Sequence, residues 1–110
     1  RNGYHRPSPE GGLMREKTIE QKLVSAVRSK GGIAPKFVSP GFDGVPDRLV
    51  LLPDGKCGFV EVKAPGRKPR VLQMARIKLL RRLGFSVFIL DDESRIPHII
   101  SEIGGSENAV

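Results

Sequence analysis

The 110-residue sequence contains no tryptophan, one tyrosine, one cysteine and two histidines. A single cysteine, Cys57, excludes an internal disulfide, and with only His5 and His98 beside it there is no zinc-type ligand spacing. The same scarcity argues against a histidine-metal nuclease site and leans towards a reducing, cytoplasmic setting. Aromatic residues make up 5% of the chain, too few for a platform on which successive bases stack. No apolar run approaches the roughly 20 residues needed to cross a bilayer, and no segment reads as a signal peptide, so a membrane partner is not expected.

Acids are also in short supply. Twelve Asp and Glu face nineteen Lys and Arg, a formal charge of +7. A basic surface of this size suits a polyanion, with nucleic acid ahead of an anionic membrane. At 38% hydrophobic residues the chain can build one modest core, for which association between copies would be useful support. Residues 1–13 lack apolar periodicity at their start and read as a disordered arm or a leftover of cloning. The domain is expected over 14–104, with a loose tail at 105–110.

Ile19, Leu23, Val24 and Val27 recur at helical spacing, predicting a helix from about Met14 to Ser29 that Gly31-Gly32 ends. A short strand is expected over Ala34–Val38, then a segment dense in turn residues from Ser39 to Pro46. Asp47–Leu52 and Cys57–Lys63 flank Pro53-Asp54-Gly55 and predict an antiparallel hairpin. Pro69 is suited to the first turn of a second helix, about Arg70 to Leu83, with Val71, Leu72, Ala75, Leu79 and Leu83 as its apolar face. Ser86–Leu90 is expected to lie parallel to the hairpin's second strand. Ile96, Ile99, Ile100 and Ile103 predict a last helix that Ser94 could cap. The order α-β-β-β-α-β-α describes an α/β fold: a small mixed central sheet flanked by helices.

In the hairpin, the start of one strand meets the end of the next, so Asp47 is brought near Glu61 and Lys63. Side chains alternate along a strand, and Asp47 joins the face of Glu61 and Lys63 only if it sits opposite one of them. Pairing Asp47 with Glu61 also pairs Leu49 with Phe59 and Leu51 with Cys57 and leaves a five-residue loop from Leu52 to Lys56, so the reading needs an odd-length loop or a bulge at the strand start. Cys57 shares that face and is expected to be core rather than a nucleophile. Two carboxylates converging on one point repel each other unless a cation lies between them. Hard divalent ions such as Mg²⁺ choose oxygen ligands and keep several waters. An ion there can polarise a phosphodiester, while Lys63 positions water or holds a phosphate oxygen. Taken singly, an Asp at a strand start is usually a turn cap and a Glu-Val-Lys at a strand end a solvated edge; their meeting in one hairpin favours chemistry.

The pattern Pro46-Asp47, then Glu61-Val62-Lys63, resembles the PD-(D/E)XK nuclease superfamily. The longer form Gly44-Val45-Pro46-Asp47-Arg48, Phe59-Val60-Glu61-Val62-Lys63 and Gln73, followed by Leu83-Gly84-Phe85, resembles the VRR-NUC (virus-type replication-repair nuclease) family from about Glu16 to Leu90. The resemblance implies an endonuclease that uses Mg²⁺ or Mn²⁺ to hydrolyse DNA. Asp47 and Glu61 would be metal ligands, with the Val62 main-chain carbonyl as a third and Glu20 of the first helix reaching the metal through water. Lys63 would be the catalytic lysine and Gln73 would orient water or DNA. Members of the family without extra domains are associated with phages, and some cut four-way junctions as homodimers.

From Val62 to Leu90 there is no acid and there are eight cations. Arg67, Lys68, Arg70 and Arg76 fall close after Lys63 and are expected to bind DNA phosphates without reading sequence. The competing expectation is a basic DNA-binding module that keeps the nuclease fold without catalysis, which intact Asp47, Glu61 and Lys63 oppose.

Overall fold

A computed structural model describes residues 9–105. Helix α1 (Pro9–Ser29) buries Ile19, Leu23 and Val27, one residue per turn along one stripe. It ends where Gly31 takes a positive φ of 86° and the Gly32 N–H returns to the Val27 carbonyl at 3.0 Å, a closure that glycine enters without strain. The helix thus begins before Met14: residues 9–13, expected as part of an arm, are helical. The rest of that expectation, for 1–8, lies outside the described residues, as does the tail after Gly105.

Strands β1 (Arg48–Leu52) and β2 (Lys56–Val62) form the antiparallel hairpin, and β3 (Val87–Leu90) adds in parallel to β2, giving a mixed sheet of order β1-β2-β3. The hairpin turns through Pro53–Gly55, where Asp54 and Gly55 both have positive φ. The pairs Leu49↔Phe59 and Leu51↔Cys57 are those expected, and Leu52↔Lys56 shortens the loop to three residues, still an odd number. The strand expected over Ala34–Val38 is not regular. Ile33 and Leu51 exchange backbone hydrogen bonds, and Lys36 bridges Arg48, but Pro35 has no N–H to extend the ladder. The segment is an edge ribbon beside β1.

The two faces of the sheet are roofed unequally. Val50, Val60, Val62 and Leu90 point to one face, where α1 and α3 (Ile96–Ile103) cover them. All four isoleucines of α3 are buried, each worth roughly 1.5–3 kcal/mol of apolar burial. A short 3₁₀ turn precedes α3, and Asp92, not Ser94, supplies its cap: the Ser94 N–H donates to Asp92 Oδ1 at 2.9 Å.

The opposite face carries Glu61, and α2 (Val71–Arg82) lies there along β3, with Ile77 and Val87 buried. The apolar stripe read from the sequence is not the buried side of α2. Val71 is 88% and Leu83 63% exposed, while Gln73 and Ile77, one turn apart, face inward. Pro69 stands before the Arg70 cap rather than inside the first turn. Cys57, expected in the core, is exposed, because this face is not roofed at the turn end of the hairpin.

Candidate active site

Asp47 is the residue immediately before β1. The hairpin register, carried one step beyond Arg48↔Val60, sets it opposite Glu61. Its position is tied twice: its carbonyl accepts from the Phe37 N–H at 2.8 Å, and its Oδ2 accepts from the Val62 N–H at 2.8 Å. The second bond fixes the carboxylate against the end of β2 and leaves Oδ1 to act. In a strand, the N–H and C=O of one residue face the same edge. The Val62 carbonyl therefore faces the edge on which Asp47 sits.

Glu61 is the most constrained charged group among the described residues. It is 1% exposed, and neither carboxylate oxygen has a hydrogen-bond partner. Buried polar atoms are almost always satisfied, so an orphaned carboxylate marks something the protein alone does not supply. Lys63 Nζ lies 3.3 Å from Glu61 Oε2, an ion pair without hydrogen-bond alignment. Burial, then the charge of Asp47, push the Glu61 pKa up to about 7 against the opposing pull of Lys63. The carboxyl of Asp47 is also raised, chiefly by burial, with the Val62 N–H opposing.

Glu20 and Gln73 are both committed to other partners. Glu20 Oε2 accepts from Arg48 Nε at 2.8 Å, and Arg48 also donates to the Ala34 carbonyl at 2.8 Å. Gln73 is buried, and its Oε1 accepts from the Arg70 N–H at 2.8 Å, starting α2. Glu16, one turn before Glu20, did not stand out in the sequence. Its pKa is raised, by burial first and by the charges of Asp47 and Glu20, against the opposing pull of Lys63 and the Ala64 N–H. The signal that could have found it is its i, i+4 spacing to Glu20 on one helix face.

Among the expected DNA-binding cations, Arg67, Lys68 and Arg70 are exposed, and none is paired with an acid among the described residues. Arg76 is drawn the other way. Its Nε donates to the Asp43 carbonyl at 2.7 Å and its guanidinium carbon lies 3.9 Å from the Phe42 ring centroid.

No family model matches the sequence. The chain is 58% identical over 81 residues to "Putative nuclease p44" of Acyrthosiphon pisum secondary endosymbiont phage 1, spanning 74% of this chain and 87% of that one. A solved structure described as a VRR_NUC domain superposes with a TM-score of 0.74 at 28% identity, covering 79% of this chain and 95% of its own. The chain belongs to the VRR-NUC nuclease family.

A VRR-NUC fold of the PD-(D/E)XK type implies a divalent metal, and the residues present fit one. The oxygens of Glu61 have no aligned hydrogen bond, only the charge of Lys63 beside Oε2, Oδ1 of Asp47 takes no hydrogen bond among the described residues, and the neighbouring carbonyl of Val62 is a third hard donor. Among the described residues no group of three or more His, Cys, Asp and Glu is arranged as a metal cage. A set of two carboxylates and a carbonyl, all oxygen, suits an ion that keeps much of its water, as Mg²⁺ does. No helix among the described residues is long and apolar enough to cross a membrane.

Proposed function

We propose that this VRR-NUC domain is an endonuclease that hydrolyses DNA phosphodiester bonds with Mg²⁺ or Mn²⁺, acting as a homodimer on branched DNA such as four-way junctions, in the host cytoplasm. The observation that carries the reading is the Glu61 carboxylate, buried without a hydrogen bond beside Asp47 and the Lys63 ammonium. When bound, the metal would polarise the phosphodiester and offset the charge that develops on its oxygens.

The chain's own residues do the rest. Asp47, held by the Val62 N–H, and Glu61, held by burial, present oxygens from two adjacent strands at a fixed spacing. Such preorganisation spares the site from rearranging during reaction. Lys63 sits at the mouth of the cluster, 16% exposed, where its ammonium holds the attacking water or a phosphate oxygen. The water oxygen bonds to phosphorus, the bond to the leaving sugar oxygen breaks, and that oxygen takes a proton. With Glu20 tied to Arg48, Glu16, whose carboxyl senses Lys63 and Asp47, is the first-helix acid assigned to reach the metal through water. Gln73 offers its NH₂ to water or DNA. Arg67, Lys68 and Arg70 follow Lys63 in the chain and supply phosphate contacts. Ile33, Leu83 and Phe85 remain exposed, apolar area that a second copy would cover.

The test is cleavage of a four-way junction and of linear duplex by wild type and Lys63→Ala, with Mg²⁺, Mn²⁺ or EDTA, alongside sedimentation to count subunits. Metal-dependent junction cutting by a dimer, lost in Lys63→Ala, is expected. No cutting with either metal removes the enzyme and leaves a DNA-binding module. Equal cutting of junction and duplex removes the branched-DNA part.

A further inference from the structure

We propose that Arg76 is a positioning residue: stacked on Phe42 and bonded to the Asp43 carbonyl, it clamps the Ser39–Pro46 turn so that Asp47 is delivered in register. The assignment rests on the reading of Asp47 as a site residue. It differs from the expectation that Arg76 binds phosphate.

The turn needs an external anchor. Gly41 and Gly44 both have positive φ, 81° and 88°, and the Phe42 N–H closes only a local bond to the Ser39 carbonyl at 3.1 Å. A stretch with two such glycines and two prolines fixes little of its own path, and although the Phe37 N–H holds the Asp47 carbonyl where the chain rejoins β1, that bond does not hold the turn itself. The anchor comes from α2. Arg76 holds the turn through a charged hydrogen bond of 2.7 Å and a ring contact of 3.9 Å. At Gly44 the turn lies so close to α2 that a Cβ would sit 2.8 Å from Leu72 Cγ and 3.3 Å from Arg76 Cγ. Two residues further on, Pro46 is fully buried, and Asp47 follows with its Oδ2 on the Val62 N–H. The clamp therefore acts on Asp47 through three residues of chain. Lysine could not replace it, because one ammonium cannot both stack flat on a ring and donate sideways from a planar fork.

The decisive readout is the Val62 amide, because its hydrogen bond reports where the Asp47 carboxylate stands without metal or DNA. Amide exchange is measured in wild type, Arg76→Gln, Arg76→Lys, Phe42→Leu and Phe42→Trp, with the Lys63 amide, bonded to the Leu90 carbonyl, as internal reference. We expect the Val62 amide to exchange about tenfold faster in Arg76→Gln and Arg76→Lys, less so in Phe42→Leu, and at the wild-type rate in Phe42→Trp, with Lys63 unchanged throughout. Calorimetric titration with MnCl₂ should show affinity falling in the same order. The slope of log Kd for DNA against log salt, measured in EDTA, should stay at the wild-type value. Unchanged Val62 exchange in Arg76→Gln overturns the proposal, and so does exchange that rises equally at Lys63, which would mean general loosening. A salt slope lower by about one, with Val62 unaffected, returns Arg76 to the phosphate contacts. If wild type neither binds Mn²⁺ nor cuts DNA, the nuclease reading fails while the exchange data still decide the clamp.

Discussion

Glu61 makes the stability of the metal-free protein depend on pH in the direction opposite to that of most salt-bridged acids. Its folded pKa of about 7 stands above the ordinary value of 4.5. Between those values the folded chain binds more protons than the unfolded one, so stability falls as pH rises through the interval. At roughly 1.4 kcal/mol per pH unit, the gap corresponds to about 3 kcal/mol of stability present at pH 4.5 and lost by pH 8. Asp47 and Glu16 are shifted in the same direction and add to the slope. For a domain of this size that is a fall in Tm on the order of 10 °C. The assay is thermal unfolding in EDTA at pH 5, 6, 7 and 8, for wild type and Glu61→Gln. A protonated Glu and a Gln are near isosteres, so the two proteins should melt close together at pH 5. At pH 8 the variant should melt higher, because it carries no buried charge to desolvate. Saturating Mn²⁺ should raise the wild type at pH 8 by about 2.7 kcal/mol at a hundredfold excess over its Kd and leave the variant nearly unmoved. A flat wild-type profile, or a variant that destabilises at every pH, would refute the argument that the orphaned carboxylate is a charge waiting for a cation.

Other outcomes follow from the same geometry. Lys63→Met should lower junction cutting by a factor of about 10²–10⁴ while gel-shift affinity in EDTA changes little, since the other cations remain. Glu16→Gln should weaken Mn²⁺ binding in calorimetry more than Glu20→Gln does. The latter should instead release Arg48 and cost about 1 kcal/mol in denaturant unfolding, because that pair is only partly buried. Gln73→Leu removes the acceptor of the Arg70 N–H at the start of α2, and urea midpoints should report a loss of about 1 kcal/mol.

What was legible in the sequence was the part governed by alternation. The rule that Asp47 shares a face with Glu61 only in an odd-loop hairpin named Leu49↔Phe59 and Leu51↔Cys57, and those pairs are present. The isoleucine stripe of α3 was equally readable, since a short helix with all its bulky residues on one side has one way to pack. The parallel return of β3 followed from the helix between it and β2. The errors share a cause: sequence period tells which residues share a face, not which face another element covers. Cys57 does share the Glu61 face, but no helix lies over it. On α2, apolar residues occur on more than one side, and the side that turned inward holds Gln73, whose amide has a backbone partner and so tolerates burial.

The same distinction explains why the site itself was only half readable. Asp47, Glu61 and Lys63 lie on adjacent strand ends, where register is local and spacing can be counted. Glu16 and Arg76 enter by tertiary routes, on α1 beneath the sheet and on α2 above it, and Arg48, though on β1, finds its partner Glu20 on α1. Before folding, each was one more charge in a chain with 28% charged residues. What separates them afterwards is the partner each one finds. Arg48 ties Glu20 to the first strand, Arg76 ties the turn to α2, and Lys63 alone among the three faces a carboxylate that has no hydrogen bond. Two of these cations therefore tie elements around the centre to one another, and the third is the one that stands against its carboxylate.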